Sequence, residues 1–246
     1  MIKKIIIILA VFLASCTSNK TLKHPLDKSK SKTVVLENGL KVYLLSDPSF
    51  NVSAASVSVE VGSLDNPDDR QGLAHFLEHM LFLGTEKYPD VDEYSSYLKT
   101  YGGYSNAYTA SDHTNYQFQV LPDGFEGALD RFSQFFISPL FTEEYTAREV
   151  NAVNSEHQKN MLNDNWRQFR ISSLFAKDGH PERKFGTGNL ETLGDITREE
   201  LIRFYKQHYS ANRMGVALLS THSLKEMESW CRQYFSSVKN RNLNRN

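Results

Sequence analysis

Cysteine is scarce. Cys16 and Cys231 are the two cysteines in 246 residues, so there is no disulfide framework from which a fold can be read. Charge of either sign is not in excess. The formal net charge is -1, no basic tract follows the first 32 residues, and a nucleic-acid partner is not expected. The apolar run Ile5 to Leu13 is too short to cross a bilayer, which takes about 20 residues. No internal repeat is present. Proline and glycine are missing between Pro139 and Gly179, so nothing interrupts a helix expected from Glu143 to about Ala176. With 40% hydrophobic residues, the chain can still bury one good-sized core.

What is present is concentrated in His75-Phe76-Leu77-Glu78-His79, a His-x-x-Glu-His motif of the inverted zinc-peptidase type. On an α-helix His79 lies about 40° round from His75, and Glu78 about 60° to the other side. Two imidazoles and a carboxylate then project into one arc. Neutral imidazole suits zinc, and a neighbouring carboxylate can act as a base without being a ligand. A three-ligand site needs one more side chain. Glu149 and Glu156, seven residues apart on the expected long helix, lie about 20° from each other on one face. Glu143 and Glu144 fall in that helix's first turn, where the dipole favours carboxylates.

Four blocks together are more specific than the motif: His75 to Thr85 (HFLEHMLFLGT), Ser105 to Tyr116 (SNAYTASDHTNY), Arg148 to Asn160 (REVNAVNSEHQKN) and Phe185 to Asn189 (FGTGN). In content and order they resemble the insulinase/pitrilysin family of zinc peptidases, insulysin/pitrilysin branch, from about Val34 to Val238. The resemblance implies one Zn2+ per chain held by His75, His79 and Glu156. It also implies Glu78 as catalytic base, Glu149 as the acidic residue supporting the site, and peptide substrates. Asn106 and Ala107 match the strand that pairs with extended peptide in the relatives. The activity implied is that of a zinc endopeptidase, or its catalytic domain, acting on peptides and small proteins. The alternative is a module that binds zinc and peptide, or partners another chain, without turnover of its own. Relatives build four such domains into one chain, or pair subunits of two. The expectation is therefore a piece of a longer peptidase, or a chain completed by a C-terminal half or a partner.

The N-terminus carries a separate message. Lys3 and Lys4, the apolar run and Leu13-Ala14-Ser15-Cys16 read as a lipoprotein signal over residues 1–15, with Cys16 acylated. A polar tether, 16–32, follows, and a polar tail, 239–246, ends the chain. The expected location is the bacterial cell envelope, anchored by lipid at the periplasmic face or outer membrane.

The peptidase domain, 33–238, is expected to be α+β: a largely antiparallel or mixed sheet covered by helices on one face. Asn38-Gly39 marks a hairpin between strands Thr33 to Glu37 and Leu40 to Ser46. Val57, Val59 and Val61 alternate with polar residues, and Ser105 to Ala110 and Thr114 to Leu121 give two more strands. Phe125, Leu129, Phe132 and Phe136 form a core-facing helical stripe. Pro67, Asp68 and Asp69 are expected to open the motif helix and Gly84 to end it. For Trp166 and Phe169, beyond Glu156, core packing is expected ahead of the alternative, a place in the wall of the cleft; His157 is expected on the surface, with His113, His180 and His208 structural.

Overall fold

The computed structural model describes residues 23–244. The expected signal segment, Cys16 and the start of the tether lie outside the described residues. Six strands form one sheet: β1 (Lys30–Val35), β2 (Lys41–Ser46), β3 (Ser53–Val59), β4 (Tyr104–Thr109), β5 (Thr114–Val120) and β6 (Met214–Ser220). Their order is β1-β2-β6-β3-β5-β4. Neighbours run antiparallel except β2 and β6, which pair in parallel with Val42 opposite Val216. The sheet is therefore mixed, as the α+β reading allows, and β1 begins at Lys30, three residues before its expected start.

The β1–β2 hairpin turns where expected. Gly39 takes a left-handed φ of 84°, which a side chain would resist. The Asn38 amide also donates to the carbonyls of Phe235 and Val238, both at 2.9 Å. That bond fastens the turn to the end of a helix far away in sequence.

The helices are α1 (Leu73–Met80), α2 (Glu93–Thr100), α3 (Phe125–Gln134), α4 (Glu143–Asn160), α5 (Asp164–Leu174), the single turn α6 (Leu190–Leu193), α7 (Arg198–His208) and α8 (Leu224–Phe235). None among the described residues is long and apolar enough to cross a membrane. Strand alternation sends Val42, Leu44, Val57, Val59, Tyr116, Phe118, Val216 and Leu218 into the core under this helical layer. The expected stripe of Phe125, Leu129, Phe132 and Phe136 is buried against them, with Phe132 and Phe136 meeting edge to face at 5.5 Å. The opposite face, including Tyr43, Ser56, Gln117 and Ala217, is half-buried or exposed.

Two helix boundaries differ from expectation. The motif helix starts at Leu73, after Gly72 in a left-handed conformation, and ends at Met80, four residues before Gly84. The expected helix from Glu143 to Ala176 is two helices. Asn163 breaks it, because its side-chain oxygen accepts from the backbone N–H of Asn165 (2.9 Å) and Trp166 (3.4 Å) and starts a new helix. A short polar side chain that competes for backbone donors can end a helix without proline or glycine.

Candidate metal centre

Helix α1 packs against α4, α7 and the β4–β5 end of the sheet, so its polar face is held at the bottom of a cleft of about 1510 Å³. Six of its eight residues are buried, Glu78 among them. The start of the helix is set by close packing. A Cβ on Gly72 would lie 2.3 Å from Gly188 Cα, so only glycine lets the 185–189 loop approach this tightly. The Gln71 side chain accepts from Phe185 N at 2.6 Å on the same side, and Ala74 N donates to the buried Asn66 at 2.8 Å.

That loop aims a backbone group at the first histidine. His75 Nδ1 lies 2.8 Å from the carbonyl oxygen of Thr187. A carbonyl only accepts, so Nδ1 carries the proton and Nε2 presents its lone pair to the cleft. His79 is oriented the same way from the other side, its Nδ1 donating to Glu149 Oε1 at 2.8 Å. Glu156, two turns further along α4, brings Oε2 to 3.5 Å from both imidazole Nε2 atoms, which are themselves 3.2 Å apart. Three acceptor atoms thus converge on one point.

Such a triangle is unfavourable unless a cation sits in it. For tetrahedral zinc with bonds of about 2.0–2.1 Å, ligand atoms lie about 3.3–3.4 Å apart. The observed edges of 3.2, 3.5 and 3.5 Å fit that geometry and the N/N/O donor set suits zinc. Without metal the site still draws in positive charge. Burial alone would lower the His79 pKa, but the hydrogen bonds to Glu149 and Glu156 outweigh it and raise the value to about 9. His75 moves the other way, lowered by burial and by the neighbouring His79. The Glu156 carboxyl is lowered, chiefly by its hydrogen bond with His79.

Glu78 points to a different neighbour. Its Oε2 accepts from the Thr109 hydroxyl at 2.6 Å. Burial pushes its carboxyl up to about 7, against the opposing pull of Thr109 and His79. A carboxylate poised near neutrality suits general-base work.

Asn106 and Ala107 lie on β4 and line the cleft. Among the described residues β4 pairs with β5 alone, which leaves its outer edge open. The expectation that Trp166 and Phe169 pack in the core does not hold. They are 45% and 57% exposed and line the cleft, on a helix, α5, in which only Ser173 is buried. His157 is half-buried in the cleft, its ring 4.9 Å from that of Phe185. Two contributors escaped the sequence reading. The Thr187 carbonyl has no residue-type signature, although FGTGN marked its loop. Thr109 was legible in principle, since strand parity places it on the face of β4 that carries Ser105 and Ala107.

The likeness to known proteins extends well beyond the site. Residues 41–178 match the family model described as insulinase (peptidase family M16), and residues 195–246 match one described as the peptidase M16 inactive domain. The chain is 50% identical over 232 residues to insulin-degrading enzyme of Drosophila melanogaster, covering 92% of this chain and 23% of that protein. It is 47% identical to insulin-degrading enzyme of Homo sapiens, again over 92% of this chain and 23% of the relative. A crystal structure of pitrilysin superposes with a TM-score of 0.88 at 36% identity, covering 92% of this chain and 25% of that one. The chain thus spans about a quarter of the length of the relatives it matches.

Proposed function

The chain belongs to the insulinase family, peptidase family M16, and on that premise we propose that it is the catalytic part of a zinc endopeptidase that hydrolyses extended peptides and small proteins. The observation that carries the reading is the triangle of His75, His79 and Glu156 with an intact carboxylate, Glu78, beside it. A module that only bound zinc and peptide would need no such carboxylate beside the metal ligands, so an intact Glu78 favours turnover.

Zinc, when bound by these three side chains, supplies Lewis-acid activation of water and of the scissile carbonyl. The chain's own groups do the rest. Glu149 and the Thr187 carbonyl hold the two imidazoles in the tautomer that offers Nε2. Glu78 takes a proton from the attacking water and returns it to the leaving amine, a role typically worth about 10²–10⁴-fold. The open edge of β4, around Asn106 and Ala107, takes the peptide main chain as an added strand, which gives affinity without strict sequence demands.

Positioning is the weak part of this chain taken alone. Near-attack orientation can be worth about 7–11 kcal/mol, and here the cleft lies open beside α5. The purified chain is expected to hold one zinc yet cleave peptides slowly, and faster once the unmatched part of a longer relative is supplied as a second chain. Absence of zinc, or no cleavage in any combination, refutes the reading.

The reading extends to location. Lys3, Lys4, the apolar run to Leu13 and the Leu13-Ala14-Ser15-Cys16 sequence support an envelope protein anchored through acylated Cys16. Labelled fatty acid is expected in the wild type and not in Cys16→Ala, and equal labelling of both refutes it.

A further inference from the structure

The Thr109 hydroxyl has one proton and two acceptors within reach. Glu78 Oε2 lies at 2.6 Å and Thr114 Oγ1 at 3.4 Å. Charge-assisted bonds to a carboxylate are the shorter and stronger kind, so the proton belongs to Glu78. Thr114, opposite Thr109 in the β4–β5 pairing, donates its own proton to the Val61 carbonyl at 2.8 Å and is fully buried. The hydroxyl that holds Glu78 is therefore backed by a fixed part of the sheet. One Glu78 carboxylate oxygen is tethered, the other, Oε1, has no hydrogen-bond partner among the described residues, and the residue lines the cleft.

The tether matters because the terminal torsion of a glutamate is broad and roughly two-fold. Burial restrains where the carboxyl group sits, but not the rotation of its plane. A single short bond selects that rotation. The bond comes from the last residue of β4, the strand whose outer edge is open for peptide pairing. Base and peptide-binding strand are thus linked directly, not only through the core.

We propose that Thr109 is a positioning residue: its hydroxyl sets the plane of the Glu78 carboxylate relative to β4, so that Oε1 faces a peptide lying along that strand. Its contribution falls on turnover and not on binding of peptide or metal. This rests on the peptidase reading above, and the test separates the two.

Thr109→Val keeps the shape and removes the donor, while Thr109→Ser keeps the donor. The first measurement uses the metal-free chain at alkaline pH, with ¹³C in the glutamate side-chain carboxyls. The Glu78 resonance, assigned by its loss in Glu78→Gln, is expected to shift in Thr109→Val and to return in Thr109→Ser. The second uses the zinc-loaded form that cleaves peptide. Thr109→Val is expected to lower kcat by about 10–100-fold, the usual scale for an outer-shell partner, with KM and zinc stoichiometry unchanged, and Thr109→Ser to recover most of the loss. An unshifted resonance, or a kcat equal to wild type, overturns the proposal. A raised KM at unchanged kcat also overturns it, since Thr109 would then serve peptide binding. If no form cleaves, wild type included, the peptidase reading fails and the carboxyl resonance alone decides the Thr109 contact. Should Thr109→Val not fold, Thr109→Ala carries both measurements.

Discussion

Helices α1 and α5 bound the same cleft and are built on opposite principles. In α1 six of eight residues are buried, and Phe76, Leu77 and Met80 are wholly enclosed. In α5 only Ser173 is buried, while Trp166, Phe169, Ile171 and Leu174 leave about half of their surface in solvent. The candidate metal ligands His75 and His79 and the proposed base stand on the first, and bare apolar surface on the second. A triangle fit for a metal, with edges of 3.2 to 3.5 Å, tolerates little displacement, so its histidines need a helix whose position the core dictates. If the proposed peptides lie against it, a wall of this kind needs no such fixity. Changes in α1 should therefore alter chemistry or folding, and changes in α5 should alter neither.

The largest effect expected is on rate. Glu78→Gln preserves size and burial but removes the proton acceptor. Hydrolysis should fall by about 10²–10⁴-fold, with zinc content and unfolding midpoint close to wild type. Peptide cleavage measured alongside metal analysis checks this in any form where wild type is active. An undiminished rate would mean that α1 supplies ligands but not the base.

Next comes stability. Leu77 is 0% exposed beneath the motif, so Leu77→Ala should cost about 2–5 kcal/mol through lost contacts and the cavity left behind. Denaturant unfolding of the metal-free chain measures it. A cost below about 1 kcal/mol would show that α1 is less firmly held than its burial implies and would weaken the contrast with α5.

How far each helix was legible in the sequence follows the same division. The histidine pair of α1 and the seven-residue spacing of Glu149 and Glu156 are periodic signals, and the structure brings these side chains together. The hairpin at Asn38-Gly39 and the phenylalanine stripe of α3 are local as well, and both appear. What escaped is non-local or backbone-borne. The start of α1 depends on Gly72 meeting Gly188, more than a hundred residues later. The parallel pairing of β2 with β6 joins strands from opposite ends of the chain. The break before α5 turns on one asparagine inside a run with no proline or glycine. For Trp166 and Phe169 core packing was expected ahead of the cleft wall, because aromatic residues usually go there, and nothing in their spacing announces a helix with one buried residue.

The smallest effect tests α5 directly. Phe169 is 57% exposed, and its ring meets Trp166 edge to face at 6.2 Å. Phe169→Ser removes that ring and leaves a polar side chain where water already reaches. Because little core contact is lost, stability should change by no more than about 0.5 kcal/mol, and zinc content should not change. Peptide binding should respond. Burying a whole phenylalanine is worth about 1.5–3 kcal/mol, and a peptide covering the exposed half would gain about 1 kcal/mol. That corresponds to roughly a 5-fold rise in Kd for an apolar peptide, with little effect on a polar one. Titration of the Glu78→Gln background, which binds without turnover, reads this out free of kinetics. If Phe169→Ser unfolds the chain, α5 belongs to the core after all. If affinity for apolar and polar peptides stays the same, the bare surface of α5 does not meet substrate. Either result would dissolve the division between a helix that holds the chemistry and one that meets the peptide.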